Sequence, residues 1–310
     1  MDKNEFLLIQ IARMYYVDKL KQNEIAKRLD MTPMMISRYL KKAEETGIVS
    51  IHIRTPWAID MQLGKQVAER YHLDECVALD CQSDTDCSSV VAGYFADYFP
   101  TMVRDNYIIG TSWGKTIAEF ALKVPYMHVT GCEILQLNGG LVSENQSMMP
   151  SAILQNLGQK LNALTYPMNA PLYVESKEIK ELLMENPTNR IVKDKARVAD
   201  VAIVGVSPLS WKSTTMSFTK YTEAEFDELK KAGSIGDITG IFIDAEGNQV
   251  DWSRKDASMS VSLSTITRAR HVVCLAGETS KAEVLQACAK KRYFNTLITT
   301  KQTAQLMMKD

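Results

Sequence analysis

Two loops of the sequence combine glycine, hydroxyl residues and lysine directly after an apolar run. Residues 110–116 read GTSWGKT, follow the predicted strand Tyr107–Ile109 and precede a predicted helix. Residues 277–281 read GETSK and lie between the predicted strand Val272–Leu275 and another predicted helix. The first N–H groups of a helix, at the positive end of its dipole, favour an anion. Each loop is therefore a candidate phosphate site, with Lys281 as a second positive group; a plain glycine-rich turn and a surface lysine are the alternatives.

Two further segments offer polar groups to the same kind of ligand. Asn138-Gly139-Gly140 follows the predicted strand Glu133–Leu137, and its glycines permit the backbone to approach a ligand closely. Asp237 lies in the predicted turn before the strand Ile241–Ile243 and offers a carboxylate to sugar hydroxyls, with a solvated turn residue as the alternative. Two phosphate-type loops and one carboxylate together indicate a small anionic polyol.

Nucleotide hydrolysis is a weaker interpretation of residues 110–116. The phosphate loop of nucleotide hydrolases has the pattern G-x-x-x-x-G-K-[ST], and this loop is one residue short, with Ile109 where the first glycine belongs. The shorter loop changes how the backbone wraps a diphosphate. An ATP-driven switch would lose its hydrolysis in Lys115→Ala.

The elements that position these loops follow from the periodicity of apolar residues. Beyond a helix at Met61–Tyr71, short apolar runs alternate with helical stretches, which is typical of a parallel sheet with helices on both faces. Ligands of such sheets bind beyond the carboxyl ends of the strands. The other predicted elements are the strands Cys76–Leu79, Val201–Val206 and Leu297–Thr299 and the helices Ser88–Tyr98, Thr116–Leu122, Ser151–Leu161 and Lys281–Lys290.

The first 54 residues differ from the rest in pattern and in charge. They carry a net charge of +3, while the remainder carries −4. Helical spacing predicts a first helix to about Leu20, a second over Gln22–Leu29 and a third from Pro33 to about Thr46. Residues 48–54 alternate like a short strand. This order predicts a winged helix-turn-helix; a small helical bundle with a solvated basic face, or a protein-interaction module, is the alternative.

In a helix-turn-helix, the third helix enters the major groove of double-stranded DNA. Arg38 and Ser37 are candidates for base edges or nearby phosphates, and two methionines for a thymine methyl. Asp30 replaces the usual glycine of the turn, a position that aspartate tolerates better than most residues. The predicted DNA-contacting residues are Gln22, Thr32, Met34, Met35, Ser37, Arg38 and Lys41.

Composition excludes a disordered chain, a collagen-like fibre and a small disulfide scaffold. The 310 residues are 45% hydrophobic and 24% charged, as in a globular protein of two domains. The six cysteines form no CxxC pair and the four histidines complete no zinc-type spacing, so neither a metal nor a cofactor is predicted. No apolar run reaches the ~18–20 residues that span a bilayer, and the N-terminus lacks an export pattern, so we predict a cytoplasmic protein without a membrane partner.

Six features occur in order over essentially the whole chain. They are the N-terminal helix-turn-helix, GTSWGKT (110–116), LQLNGG (135–140), ADVAIVGV (199–206), GDITGIFIDAEGNQV (236–250) and AGETSKAEVLQA (276–287). Together they resemble the SorC family of sugar-responsive bacterial transcriptional regulators. The resemblance implies a DNA-binding domain at 1–55 and an effector-binding and oligomerisation domain at 56–310, with 56–74 as a linker helix. The second domain would be doubly wound α/β, of the sugar-phosphate isomerase and deaminase (NagB/RpiA-like) type.

The resemblance also implies the roles of the effector-site residues. Residues of the 110–116 loop would hold the phosphate, Asp237 would contact sugar hydroxyls, and Lys281 would reach the phosphate or an adjacent oxygen. A deoxyribonucleoside-responsive member has, in place of Asn138, a lysine that forms a Schiff base; asparagine has no nucleophilic amine, so noncovalent binding is predicted and deoxyribose 5-phosphate is disfavoured. The predicted effector-binding residues are Gly110, Thr111, Ser112, Gly114, Lys115, Thr116, Asn138, Gly139, Gly140, Asp237 and Lys281.

The leading functional hypothesis is a regulator of a carbohydrate-utilisation operon, not an enzyme, whose affinity for operator DNA is set by a phosphorylated sugar. The resemblance implies a homotetramer on a palindromic operator, and a net charge of only +3 in the first 54 residues requires several copies. The alternative is an active sugar-phosphate isomerase or deaminase with an N-terminal accessory module. Such chemistry often uses a histidine, and neither His128 nor His271 lies in a predicted site loop.

Overall fold

The structure is a computed structural model that describes residues 3–49, 57–81, 87–140, 146–219 and 221–309. By its internal contacts the chain divides into two compact units, Met1–Pro56 and Trp57–Asp310. The described part of the first unit consists of the helices α1 (Lys3–Ala12), α2 (Gln22–Leu29) and α3 (Pro33–Glu45). A π-helical turn, Arg13–Val17, extends α1, so the predicted first helix is irregular in its second half.

The three helices of the first unit enclose a small apolar core. Ile11, Ile25 and Ile36 are fully buried in it, and Leu40 packs beside them. Burying such side chains stabilises the unit by roughly 1.5–3 kcal/mol each. The predicted wing strand, residues 48–54, lies outside the described residues from position 50 onward.

The turn between α2 and α3 forms as its residue types predict. Asp30 ends α2 in the left-handed conformation, with φ of 54°, which a glycine usually adopts at this point. The Thr32 hydroxyl accepts a hydrogen bond from the Met35 N–H (3.2 Å), and Pro33 is the first residue of α3. The cap and the proline fix the start of α3 at the predicted residue.

Ten strands and eleven α-helices make up the described part of the second unit. The strands are β1 (Glu75–Leu79), β2 (Ile108–Thr111), β3 (Glu133–Gln136), β4 (Leu164–Tyr166), β5 (Val201–Val204), β6 (Val206–Pro208), β7 (Gly236–Ile238), β8 (Ile241–Ile243), β9 (His271–Ala276) and β10 (Thr296–Thr300). The helices are α4 (Met61–Tyr71), α5 (Cys87–Met102), α6 (Lys115–Lys123), α7 (Pro150–Leu161), α8 (Lys177–Glu185), α9 (Pro187–Ala196), α10 (Thr214–Thr219), α11 (Glu223–Lys231), α12 (Leu263–Ile266), α13 (Ala282–Lys290) and α14 (Lys301–Met307).

A seven-stranded sheet of order β1-β10-β9-β5-β2-β3-β4 forms the centre of this unit, and every pairing in it is parallel. Successive residues of its strands enter two different cores, as Val272 and Val273 of β9 do. Helices α5, α6 and α7 supply side chains to one core, and α4, α9, α13 and α14 to the other. Helices therefore cover both faces of the sheet, as predicted.

A second sheet, antiparallel and of order β6-β7-β8, corrects three sequence predictions. The predicted strand Val201–Val206 is divided at Gly205, because β5 joins the parallel sheet whereas β6 pairs with β7. The segment Ile241–Ile243 is a strand, but it pairs antiparallel with β7. Asp237 belongs to β7 and is buried, so it is not the turn residue that the sequence suggested. Strand β4 has only three residues, too few for a recognisable pattern.

Candidate functional site

A narrow cleft lies at the carboxyl ends of β2, β5 and β9, where parallel sheets bind ligands. Its empty volume is about 360 Å³, open solvent at the mouth included. Six of the predicted effector residues come together in it: Ser112, Gly114, Lys115, Thr116, Asp237 and Lys281. The rest of its lining is Trp113, Ile117, Gly205, Val206, Ser207, Thr214, Thr215, Thr239 and Leu275.

The first turn of α6 forms one wall of the cleft. Gly114 is its N-cap, with φ of 136°, a conformation that side-chain-bearing residues rarely adopt. Lys115, Thr116 and Ile117 follow and line the cleft. The N–H groups of the first helical turn have no partner within the helix, so this wall presents donors and a positive dipole end. An exposed ammonium at Lys115 adds positive charge.

An ion pair that the sequence did not predict lies beside this wall. The Lys281 ammonium is 2.5 Å from Glu278 Oε2, and the Ser88 hydroxyl donates to Glu278 Oε1 (2.7 Å). The Thr116 hydroxyl donates in turn to Ser88 (3.3 Å). Burial disfavours the charged form of Glu278, but the charge and hydrogen bond of Lys281 and the bond from Ser88 prevail and hold its pKa at about 2. The charge of Lys281 is therefore already balanced before a ligand binds.

Asp237 is a carboxylate that lines the cleft, and its environment raises its pKa, whereas the pKa of Glu278 is lowered. It is 3% exposed, and burial raises its pKa to about 6 against the opposing effects of the Thr215 hydroxyl, the Gly240 N–H and the Lys281 charge. Its Oδ2 accepts a hydrogen bond from Gly240 N–H (2.9 Å). Its Oδ1 is buried; the Thr215 hydroxyl lies near enough to lower the pKa of the carboxyl, but the two atoms do not reach hydrogen-bond geometry, and no other described residue donates to Oδ1.

Several buried polar atoms of the cleft share this lack of a hydrogen-bond partner within the described part of the chain. Those that line the cleft are Trp113 Nε1, Thr215 Oγ1, Asp237 Oδ1 and Thr239 Oγ1, and Asn138 Oδ1 lies behind them. Folded proteins pair almost all buried polar groups, and each unpaired group costs about 1–3 kcal/mol. Donors and acceptors collected in one cleft are therefore suited to a ligand with several hydroxyl groups.

The segment Asn138-Gly139-Gly140 lies behind the cleft. The Asn138 amide is fully buried and donates to Ser112 Oγ (3.2 Å) and to the Thr239 carbonyl (3.0 Å), so it supports two lining residues. The two glycines do not reach the cleft. A Cβ on Gly139 would lie 2.3 Å from the Pro171 carbonyl oxygen, and Gly140 N–H donates to a neighbouring backbone carbonyl (2.7 Å). The glycine is therefore needed here because the backbone packs closely against another segment of the chain, and not because a ligand approaches it.

Gly110 and Thr111 also lie outside the cleft, contrary to the prediction. Both belong to β2. A Cβ on Gly110 would lie 2.7 Å from Leu137 Cδ2, and the buried Thr111 hydroxyl donates to the Ser112 carbonyl (3.1 Å). These two residues pack and orient the loop; they do not present groups to a ligand.

The sequence did not indicate several residues that line the cleft or lie beside it, for two different reasons. Thr239 and Glu278 lie inside motifs that were recognised, two and three positions from residues that were chosen. Thr214 and Thr215 begin the short helix α10, between β6 and α11, and no pattern distinguishes them from other surface hydroxyls. Only the tertiary fold brings them opposite α6.

In the first unit, α3 presents the predicted DNA-contacting side chains to solvent. Ser37, Arg38 and Lys41 are exposed, as are Met34 (67%) and Met35 (41%). The opposite face of α3 is buried in the helical core. Of the other predicted contacts, the exposed Thr32 uses its hydroxyl as the α3 cap, and Gln22 at the start of α2 is half-buried. Lys41 forms only a long, exposed pair with Glu45 (3.8 Å), which leaves its charge available.

No described helix has the length and apolar character needed to cross a membrane. In the same ranges, no group of three or more His, Cys, Asp or Glu side chains is arranged to hold a metal ion.

Known proteins resemble the chain over almost all of its length. Residues 56–309 match the family described as "Putative sugar-binding domain". The deoxyribonucleoside regulator of Bacillus subtilis is 26% identical over 306 residues, which are 98% of this chain and 97% of that protein. The sorbitol operon regulator of Klebsiella pneumoniae is 24% identical over 307 residues, 98% of each protein.

A solved structure shares the fold of the whole chain. The crystal structure of the full-length sorbitol operon regulator SorC from Klebsiella pneumoniae matches with a TM-score of 0.74 and 24% identity, and covers 99% of this chain and 100% of that one. The family match covers the sheet, the cleft and every effector-site residue discussed above. The chain belongs to this sugar-binding family and is a member of the SorC family of sugar-binding transcriptional regulators.

Proposed function

We propose that the chain regulates a carbohydrate-utilisation operon and that a phosphorylated sugar, bound in the cleft, controls its affinity for operator DNA. The observation that carries this proposal is the set of unpaired buried polar atoms in the cleft that the first turn of α6 also lines. The α6 N–H groups and Lys115 suit a phosphate, while Asp237, Thr215 and Thr239 suit hydroxyl groups. A phosphorylated sugar presents both kinds of group on one small molecule.

The DNA-binding function is assigned to residues 1–55, as a winged helix-turn-helix whose helix α3 enters the major groove. Arg38 and Ser37 read base edges, and Lys41 and Thr32 contact the backbone. The modest charge of +3 in this segment requires several copies on one operator. A homotetramer, assembled through residues 56–310 with the linker 56–74, meets that requirement. A protein that binds chromosomal operators works in the cytoplasm.

The cleft is proposed to bind its effector noncovalently and without turnover. A Schiff base needs a nucleophilic amine, and the buried Asn138 supplies none. The Lys281 side chain is engaged in an ion pair with Glu278 and does not present a free amine to a carbonyl. The NagB/RpiA-like architecture is thus used for recognition. The relatives named above are regulators, which favours the same conclusion.

Control follows from linkage between the two units. An effector that binds one arrangement of the oligomer more tightly than the other shifts the population toward it. Moving the equilibrium from 1:99 to 99:1 needs about 10⁴-fold differential affinity, or ~5.5 kcal/mol. Filling several buried unpaired groups at about 1–3 kcal/mol each supplies energy of that size when those groups take up the ligand in one of the two arrangements and not in the other.

The test is operator binding by the full-length chain with and without a panel of sugar phosphates. Fluorescence anisotropy on the promoter region of its own operon should show sequence-selective binding, and at least one phosphorylated sugar should change the Kd tenfold or more. The unphosphorylated sugar is the matched control and should have no effect. Absence of selective DNA binding, or a response to the free sugar equal to that of its phosphate, contradicts the proposal. Turnover of a panel member that Asp237→Asn abolishes would favour the isomerase alternative instead.

A further inference from the structure

Another cleft in the second unit shares no lining residue with the effector cleft, the one lined by Asp237 and Lys281. It has a cavity volume of about 410 Å³ and lies between α8, residues 255–267 and the loop after α13. Its lining carries the four cations Lys180, Lys255, Lys291 and Arg292 against the single acid Asp256. Since residues 55–310 carry a net charge of −4, this is a local excess of positive charge on an acidic body.

Lys180 distinguishes this cleft from a patch of solvated lysines. The residue is half-buried, and its ammonium makes no hydrogen bond or ion pair with any described residue. Burial lowers the pKa of Lys180, although Asp256 and Glu181 lie near enough to oppose that effect. A cation held partly out of water without a partner is unfavourable, and an anion entering the cleft would compensate it.

The other cations are only weakly engaged. Lys255 lies 3.5 Å from Asp251, which is 95% exposed, so solvent screens the pair. The Arg292 guanidinium donates one hydrogen bond to the His72 carbonyl (3.2 Å) and keeps further N–H groups for a ligand. Lys291 is exposed at the mouth of the cleft.

Serine hydroxyls complete the wall. Ser258, Ser260, Ser262 and Ser264 all line the cleft. The buried Ser258 hydroxyl is engaged with Ser260 (3.0 Å), whereas the exposed Ser262 and Ser264 hydroxyls lie 3.1 Å apart and can donate to phosphate oxygens. Ser260 also connects the two clefts. Its hydroxyl donates to the Thr239 carbonyl (3.1 Å), the same carbonyl that accepts the Asn138 amide beneath the effector cleft.

We propose that this second cleft is an anion-binding site for a phosphorylated small molecule other than the effector. Its volume lies within the roughly 300–1,000 Å³ of small-molecule sites. The half-buried position of Lys180 requires the anionic group to enter the cleft. A terminal phosphate does so readily, whereas the phosphodiester of a nucleic acid is flanked by sugars on both sides. The site exists independently of what the effector cleft binds.

The test is isothermal titration of the full-length chain with inorganic pyrophosphate at constant ionic strength. Lys180→Met keeps the length and packing of the side chain but removes its charge, and should raise the Kd at least tenfold. Lys230→Met removes an exposed lysine on α11 and is the charge-matched control, with less than a twofold change expected. Lys115→Glu, at the mouth of the effector cleft, should leave saturable binding of pyrophosphate in place.

The exposed Lys291→Gln is a second variant, should Lys180→Met fail to fold, and should also weaken pyrophosphate binding severalfold. The proposal is overturned by the absence of saturable binding in the wild-type chain. The proposal is also overturned if Lys180→Met and Lys291→Gln both bind pyrophosphate with a Kd within twofold of the control. Loss of all pyrophosphate binding in Lys115→Glu overturns it as well.

Discussion

Asp237→Asn is expected to stabilise the unliganded protein at neutral pH while weakening its response to the effector. The carboxyl is buried, and its pKa in the folded chain is raised from 3.8 to about 6. Folding therefore favours the protonated form, and the stability that this form contributes is lost as pH rises from about 4 through 6. A pKa shift of about two units corresponds to a loss of ~3 kcal/mol in the free energy of unfolding, which is complete above pH 7 and about half complete at pH 5.

Asparagine has the same shape without the charge. Its amide oxygen still accepts the Gly240 N–H bond, so the variant keeps the local structure and loses only the cost of a buried charge. Urea unfolding of wild-type and variant chains should give a difference of about 2–3 kcal/mol in favour of the variant at pH 7.5, shrinking toward zero near pH 4. Comparing the two chains at each pH removes the contributions of other titrating groups.

Two results would refute this reasoning. A stability difference that stays the same from pH 4 to 7.5 would mean that Asp237 does not titrate in that range. A variant less stable than wild type at pH 7.5 would mean that the ionised carboxylate has partners that the structure does not show. Effector affinity gives the second readout. Since an ionised carboxylate accepts hydroxyl hydrogen bonds better, wild-type affinity should rise with pH from 5 to 7 more steeply than that of Asp237→Asn.

Three further outcomes are expected. Arg38→Ala should lose about 1–3 kcal/mol of discrimination between operator and mismatched DNA, whereas Lys41→Ala should weaken both equally and reduce the salt slope by about one, both measured by anisotropy across a salt series. Thr116→Glu places a negative charge at the start of α6 and should abolish the response to the sugar phosphate while operator binding stays intact. Thr116→Ser is the control. A normal response of Thr116→Glu would mean that the phosphate binds elsewhere. Glu278→Gln should release Lys281 from its ion pair and tighten the binding of inorganic phosphate to the cleft about tenfold, which is the ~1.5 kcal/mol of one charged hydrogen bond. A titration with phosphate measures this change, and an unchanged affinity would show that Lys281 does not face the anion.

Local patterns were sufficient to predict the elements that carry the site. The Thr32-Pro33 start of α3 and the bounds of α2 and α4 follow from capping and periodicity, and the structure has them as predicted. The rule that parallel sheets bind ligands at the carboxyl ends of strands correctly brought the loop residues 112–116 and Lys281 to one cleft, which Asp237 reaches from the antiparallel sheet. These predictions depend on neighbours in sequence or on a general property of one architecture.

The remaining features depend on contacts between distant segments. A glycine that a ligand needs and a glycine that a neighbouring strand needs look alike in sequence, so Gly110 and Gly139 were assigned to the ligand although they pack against the chain. The division of one apolar run into β5 and β6 depends on β7, some thirty residues later in the chain. Likewise, the raised pKa of Asp237 comes from burial beneath segments whose position only the fold determines.

The pairing of Lys281 with Glu278 bears on how the regulator avoids false responses. With that lysine neutralised, a bare phosphate ion gains little more than the α6 N–H groups and Lys115 offer, and it leaves the buried hydroxyls and Asp237 Oδ1 unsatisfied. An ion that is always present in the cell therefore occupies the cleft poorly. On the proposed function, a ligand obtains both sets of contacts only when it carries its phosphate and its hydroxyl groups on one skeleton, so neither a free phosphate ion nor a free sugar would change transcription.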